Sequence, residues 1–389
     1  MHAMTTNPID HLEVAATDLT APGGIETARE IKQQPRMLTQ THALVAGLHA
    51  RLQAFAGPLA SNPAARIILT GAGSSAYIGQ CVAPLLDRQL AARVDAVPTT
   101  DIVCAPQLYL DPEQPLLLVS FARSGNSPES LAAVELAESL VADVRHLVIM
   151  CNARGALGEL SVKRCMTLLM PPETHDVSFA MTSSFSCMMY AAVAALLPAG
   201  TLDQRIDAIT DATGHVIGDA LPMLSELAAT KPQRVVWLGS GLLQGLAREA
   251  SLKLGELTNG AVATCFDSPL GFRHGPKTFV DESTLVMVFV SNDALTRRYD
   301  EDLIDELRGD GRAARVIEVT AQPRATGDTI AVPGMTAADD LDLLWPYVTV
   351  AQIYAFFMAR AFGVTPDNPN PAGMVNRVVK GVRLYGQGA

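Results

Sequence analysis

Positive charge is scarce in this 389-residue chain: 29 Lys and Arg face 40 Asp and Glu, a formal net charge of −11. A nucleic-acid backbone rewards clustered cations, so nucleic acid is excluded as a main partner, although a local pocket can still hold a small anion. Long apolar runs are missing as well. The longest, MMYAAVAALLPAG, is interrupted by Pro198 and is too short to span a bilayer, so no membrane association is expected. The first residues, MHAMTTNPIDHLEV, bring early acids and no continuous apolar block. No secretory signal is expected there, and the protein is assigned to the cytoplasm. The six cysteines (Cys81, Cys104, Cys151, Cys165, Cys187 and Cys265) form no CxxC pair, and most lie in or beside apolar stretches. They are expected to be reduced, buried small side chains. No His, Cys and Asp residues share metal-ligand spacing, so no metal is expected.

Two phosphate-binding signatures are absent too. The stretch GAGSSAYIG does not fit GxGxxG, and no acid ends the next strand in the usual place, so a dinucleotide is not expected. GxxxxGK[ST] does not occur, which excludes a nucleoside-triphosphate P-loop. No cofactor is expected. A monophosphate ester remains, and a sugar phosphate is the simplest one.

What is present is ample core: 49% of residues are hydrophobic and 18% charged, in a chain long enough for two domains. Residues 1–24 are mixed and end in APGG, the pattern of a loose arm. A helical pattern covers 25–60, interrupted at Pro35. Residues 61–200 then alternate buried strands (RIILTG, PLLLVSF, RHLVIMC, CMTLLM) with helices (SSAYIGQCVAPLLDRQL, SPESLAAVELAESLV, SSFSCMMYAAVAALL). Continuous Val, Ile and Leu strands between helices indicate an α/β fold with a parallel sheet covered on both faces. A helical linker is predicted over 201–232. The alternation restarts over 233–365 with RVVWLGSG, TLVMVFVSND and ARVIEVTA, and residues 366–389 form a tail. LTGAGSS and LGSGLLQ are the same strand-to-glycine turn, which suggests duplication of one doubly wound domain.

Ligands of open parallel sheets sit beyond the carboxyl ends of the strands. Two strand ends of the first half, TGAGSS and ARSGNS, combine glycine with hydroxyls: Ser74, Ser75, Ser124 and Ser127. The helix after each turn aims free N–H groups the same way, as a phosphate cradle would. A third turn, AMTSSFS, sets Thr182, Ser183 and Ser184 at a helix start. Ordinary N-capping explains any one such turn; three in one domain favour a ligand. The equivalent turns of the second half keep only Ser240, Ser291 and Thr296, and Asp293 would repel an anion. That half offers charge in a helix instead, AREASLKLGELTNG, where Lys253 and Glu256 share a face. Spacing alone leaves a surface ion pair open. GFRHGPK, at 271–277, is either a solvated turn or a loop that brings His274 to a ligand.

Together, GAGSS, ARSGNSPES, REASLKLGELTNG and GFRHGP resemble the double sugar isomerase (SIS) domain family, which includes the isomerase half of glucosamine-6-phosphate synthase. The stretches DSPLGFRHGPKTFVDESTLVMVFVSNDALTRRYD and TPDNPNPAGMVNRVVKGV are similar to its AgaS-type branch of galactosamine-6-phosphate deaminase/isomerases and tagatose-6-phosphate ketose/aldose isomerases. The resemblance covers 25–385 and implies two flavodoxin-like SIS domains in tandem. It implies phosphate-binding hydroxyls at Ser75, Ser124 and Ser127 with Arg123 beside them, and substrate contact at Thr182 and Ser183. It also implies a proton-transferring Glu256 with Lys253 one turn before it, a ring-opening His274, and a tail lysine, Lys380, that meets the open-chain sugar. A homodimer with a shared active site is implied, because the histidine loop of related enzymes reaches a neighbouring subunit. Ala122 stands where the synthase has a serine, Gly255 where it has a second lysine, and the segment between Glu256 and His274 is longer. The synthase's glutaminase domain, with its N-terminal cysteine, has no counterpart before Cys81, so ammonia from glutamine is not expected. The implied reaction converts an aldosamine 6-phosphate, the galacto or the gluco sugar, to a ketose 6-phosphate and ammonia. The alternatives are plain ketose/aldose isomerisation and a non-catalytic sugar-phosphate sensor.

Overall fold

The computed structural model describes residues 23–323, 328–379 and 381–385. The expected arm, apart from Gly23 and Gly24, therefore lies outside the described residues, as does Lys380. The chain forms two compact units. One holds Met37–His175, Ser183–Ile206 and the tail from Ala372; the other holds the chain up to Arg36, Asp176–Thr182 and Asp207–Pro371. The predicted 201–232 link is two helices, Ile206–Asp219 and Leu221–Ala229, and from Asp207 onward it groups with the second sheet.

The first unit is built on five parallel strands: β1 Arg66–Thr70, β2 Arg93–Ala96, β3 Leu116–Ala122, β4 Val144–Met150 and β5 Cys165–Leu169. Their order is β2-β1-β3-β4-β5. All seven residues of the central β3 are buried, as its unbroken apolar run requires when both faces are covered. On one face Ile68, Leu118 and Val148 pack with Ala133, Val134 and Ala137 of the helix Pro128–Leu140.

The second unit repeats the plan with β6 Arg234–Gly239, β7 Ala263–Asp267, β8 Thr284–Phe289, β9 Arg315–Thr320 and β10 Thr329–Ala331. All pairs are parallel, in the order β7-β6-β8-β9-β10. Each sheet thus places its second strand outside its first, so a switch point lies between β1 and β3 and another between β6 and β8. The helix Asp340–Ala361 is long and apolar enough by composition to cross a membrane, but 94% of its apolar window is buried in the fold. It is the core helix of this unit and packs on the helix Leu242–Leu257.

The structure differs from expectation in four places. The helical segment breaks at Gln33, not Pro35; Pro35 sits in the first turn of Gln34–Ala60, where its missing N–H costs no bond. Strands β2, β7 and β10 have no apolar run that announces them. All three lie at sheet edges, where polar residues are tolerated, and β2 is joined to β1 by a 2.6 Å ion pair between Asp95 and Arg66. The segment between Glu256 and His274 is therefore strand as well as loop. Cys104 is exposed at the end of a short helix rather than buried; Cys81, Cys151 and Cys187 are buried, and Cys165 and Cys265 lie between.

Candidate functional site

The turns after β1 and β3 flank the switch point of the first sheet. A Cβ on Gly71 would lie 2.7 Å from the Ser75 carbonyl carbon, and Gly73 takes φ 57°, so the tight turn requires both glycines. Ser74 and Ser75 open the helix Ser74–Gln89 and are buried. After β3, Arg123 is buried and donates to the Arg377 carbonyl of the tail at 3.2 Å. Gly125 takes φ 70° with its α-carbon against Gly155, and Asn152 donates to the Ser124 carbonyl at 2.8 Å. Asn126 accepts from the Ala156 amide at 3.0 Å. These asparagines, which the sequence reading passed over, fix the turn; CNARG directly after β4 is the signal that marks one of them. Ser127 is the N-cap of the helix Pro128–Leu140, yet its hydroxyl donates to Glu129 at 2.8 Å and no side chain caps the helix. Ser183, also buried, opens the helix Ser183–Leu196.

The corresponding turns of the second sheet are filled from within. Ser240 donates to Asp300 at 2.6 Å, Ser291 donates to Asp340 at 2.6 Å, and the Ser291 and Asn292 amides donate to those carboxylates at 2.9 and 2.7 Å. Asp293 caps the next helix by accepting from the Leu295 and Thr296 amides. Burial pushes the Asp300 carboxyl up to about 6 against the pull of its Ser240 and Ser291 bonds, and burial also raises Asp340.

Lys253 and Glu256 are not a surface pair. The Lys253 side chain is 1% exposed and its Nζ lies 2.9 Å from Glu256 and 3.2 Å from Glu249, which is equally buried. Burial alone would lower the Lys253 pKa, but the two carboxylates, Glu249 foremost, offset it and hold the ammonium above the ordinary lysine value. Glu256, 27% exposed, is the one member of the trio that a ligand can reach. Glu249 was missed, although its place four residues before Lys253 on the same helical face was there to be read.

GFRHGPK is a braced surface loop with one buried anchor. Phe272 is buried in the core, and Ser268 caps the short helix Pro269–Phe272. Arg273 pairs with Glu306 at 2.9 Å; Lys277 pairs with Glu306 and, at 2.5 Å, with Asp310. These ions brace both ends of the loop against the helix Ala294–Asp310, and His274 stands exposed between them. Phe272 shares a cluster with Val236, Leu238, Val288 and Ile304 on one face of the sheet. Trp237 and Phe289 point to the other face, against Tyr354 and Tyr347 of the core helix on which the Glu256 helix packs. Glu256 and His274 therefore belong to elements on opposite faces of one sheet.

Of the other residues singled out, Thr182 is buried in the second unit with its amide donating to Asp176 at 2.8 Å. Among the described residues, no group of three His, Cys, Asp or Glu side chains is placed to hold a metal ion.

Residues 62–198 match the SIS domain, so the first unit's sheet is of the sugar isomerase class. D-galactosamine-6-phosphate deaminase AgaS of Escherichia coli is 44% identical over 95% of this chain and 98% of its own length. The protein of the same name from Shewanella sp. (strain ANA-3) is 42% identical over 98% and 99%. A crystal structure of tagatose-6-phosphate ketose/aldose isomerase from Escherichia coli, 41% identical, superposes over 97% of this chain and 99% of its own with a TM-score of 0.85. The chain belongs to this AgaS family of SIS-domain proteins.

Proposed function

We propose that the protein is an amino sugar 6-phosphate deaminase/isomerase that converts galactosamine 6-phosphate to the ketose 6-phosphate and ammonia. The observation that carries this reading is Glu256: a reachable carboxylate held by a buried ammonium suits proton transfer on a small substrate. Ser75, Ser124 and Ser127, with Arg123 and Ser74 beside them, bind the phosphate, which orients the sugar and supplies remote binding energy. Thr182 and Ser183 contact the sugar, and Lys380 meets its open-chain form.

His274 moves a proton between ring oxygen and anomeric hydroxyl to open the ring. In the open aldehyde the C2 hydrogen is acidic. Glu256 takes that proton and returns it to C1, leaving an imine at C2. Water adds to the imine, the C–N bond breaks, and ammonia leaves behind a ketone. Lys253 holds Glu256 in place through its 2.9 Å contact. The names borne by the relatives differ only in what C2 carries: with a hydroxyl there, the same proton shuttle gives plain aldose–ketose isomerisation. Because their elements lie on opposite faces of one sheet, His274 is read as serving the site of a second copy in a cytoplasmic homodimer. The shared strand order supports two flavodoxin-like, doubly wound domains.

Purified protein given galactosamine 6-phosphate, glucosamine 6-phosphate or tagatose 6-phosphate, with ammonia and ketose assayed together, tests the proposal. Ammonia and ketose in equal amounts, fastest from the galacto sugar, is the expected result. Interconversion of tagatose 6-phosphate without ammonia release from either amino sugar would replace deamination by isomerisation.

A further inference from the structure

Thr182 combines two features that do not belong to an ordinary helix start. It is fully buried, and its hydroxyl has no hydrogen-bond partner among the described residues. A buried hydroxyl left unsatisfied costs free energy unless something else completes it. At the same time, its backbone is held from both sides. The Thr182 amide donates to Asp176 at 2.8 Å, and Gln352, itself held by Gln34 at 2.8 Å, reaches toward the Thr182 carbonyl at 3.5 Å.

The segment Asp176–Thr182 that ends in Thr182 is tied down just as heavily. Glu30, in the helix Ile25–Lys32, accepts from the amides of Val177 at 2.6 Å and Ser178 at 3.2 Å, and from the Ser178 hydroxyl. The Phe179 amide donates to the Asp367 carbonyl at 3.1 Å, and the Asp367 carboxylate in turn caps the Glu30 helix by accepting from the Thr27 amide at 2.8 Å. Glu30 and Asp176 are both fully buried. Among the described residues, Asp176 and, at 3.8 Å, Arg29 face Glu30. Burial first and the Asp176 charge second push the Glu30 carboxyl up to about 7. Neighbouring buried carboxylates repel one another, so a loop fixed by this pair is fixed against that repulsion.

We propose that Glu30 and Asp176 are positioning residues for substrate binding, which hold the 176–182 loop so that the otherwise unpartnered Thr182 hydroxyl meets the sugar phosphate. The inference rests on the reading of Thr182 as a substrate contact. Neither carboxylate touches the sugar; Asp176 acts through the Thr182 backbone, and Glu30 acts through Val177 and Ser178.

The test is a double-mutant cycle read by calorimetric binding of galactosamine 6-phosphate, by KM and kcat, and by Tm. Asp176→Ala should weaken binding and raise KM about tenfold while kcat changes by less than about threefold, as loss of a positioning contact predicts. Asp176→Asn, which can still accept from the Thr182 amide, should restore most of the binding. Thr182→Val should weaken binding similarly, and the double variant should be no worse than Thr182→Val alone, because the two act as one unit. A folded Asp176→Ala protein with wild-type KM, or penalties that simply multiply in the double variant, would overturn the proposal. Should Asp176→Ala fail to fold, Glu30→Ala and Glu30→Gln take its place: a KM raised by the alanine and recovered by the glutamine supports the proposal, and an unchanged KM rejects it. Wild-type protein that binds the sugar phosphate but releases no ammonia would remove the functional reading, and the binding cycle would still decide this one. Wild-type protein that does not bind it would remove both.

Discussion

Gly73 and Gly241 hold nearly the same backbone, φ 57° with ψ −131° in the first and φ 57° with ψ −122° in the second. Gly71 and Gly239 are equally crowded: a Cβ on Gly239 would lie 2.4 Å from the Leu243 carbonyl oxygen. The residues these turns launch are opposite in kind, Ser74 and Ser75 in one sheet, Leu242 and Leu243 in the other. The next turn diverges in the same way. The helix after β3 has no side-chain cap, whereas the helix after β8 is capped by Asp293. The hydroxyls that survive in the second sheet, Ser240, Ser291 and Thr296, are spent on Asp300, Asp340 and Asp293. The same glycine-turn backbone thus persists in both sheets. In the second the chain's own carboxylates take up the turn hydroxyls; in the first Ser127 is so engaged, by Glu129, and the turn serines are those proposed to meet phosphate. The second sheet also carries the Lys253–Glu256 pair and the histidine loop.

The largest effect on this division of labour is expected from Glu256→Gln. The amide is nearly isosteric and can still accept from Lys253, so fold and binding should persist. It cannot take the C2 proton, and turnover should fall by about 10²–10⁴-fold, as loss of a general base does. Turnover near wild type would remove the chemistry from the second sheet. The histidine loop gives the next effect. His274→Ala alone should be nearly inactive on ring-closed substrate. Mixed with Glu256→Gln protein under conditions of proven subunit exchange, it should regain activity. Random reassortment puts about half the dimers in the mixed state, each with one intact site, so recovery should approach about one quarter of wild type. Exchange without recovery would mean that His274 serves its own chain or no site at all.

Serine substitutions should then separate the two sheets by which quantity moves. Ser75→Ala should raise KM roughly tenfold, the value of one hydrogen bond to a charged group, with little change in Tm. Ser240→Ala should do the reverse. It leaves the buried Asp300 carboxylate short of a donor, at a cost of about 1–3 kcal/mol in stability, and KM should not move. A KM shift from Ser240→Ala would mean that the second turn also meets substrate.

Much of this contrast can be read in the sequence, and the unread part has one physical cause. Strands β1, β3, β4, β6, β8 and β9 announce themselves because both faces are covered and most positions are apolar, even though β4 and β9 bury His146 and Glu318. The hydroxyl turns announce themselves because glycine and serine cluster at strand ends. Of the four edge strands only β5, in CMTLLM, does so: ATCFD looks like loop until it is seen to pair with β6. Partners far apart in the chain are equally silent. Ser240 meets Asp300 sixty residues on, and Asp176 faces Glu30 from more than a third of the chain away. An acid such as Asp300, in the middle of ALTRRYDEDLIDELRGDG, looks like solvated helix surface, and only the packing shows it to be fully buried.

That buried acid gives the smallest and most selective expectation. Asp300 titrates near 6 in the fold against an ordinary value of 3.8, because burial disfavours its charge. A carboxyl whose folded pKa is raised binds its proton more tightly folded than unfolded. Its contribution to stability is therefore fully present below pH 3.8 and is lost as the pH rises through 6. Asp300→Asn removes the titration and keeps the geometry: its oxygen can accept from the Ser291 amide, and its NH₂ can donate to Ser240. Relative to wild type, the variant should gain about 2–3 kcal/mol of stability between pH 4 and pH 7, with most of the change between pH 4 and 6. Urea denaturation of both proteins across that range measures it. The turns of the first sheet use hydroxyls that do not titrate there, so Ser75→Ala should differ from wild type by the same amount at every pH. If the stability difference for Asp300→Asn were equally flat, the second sheet would not contain the buried carboxylate plug that separates it from the first.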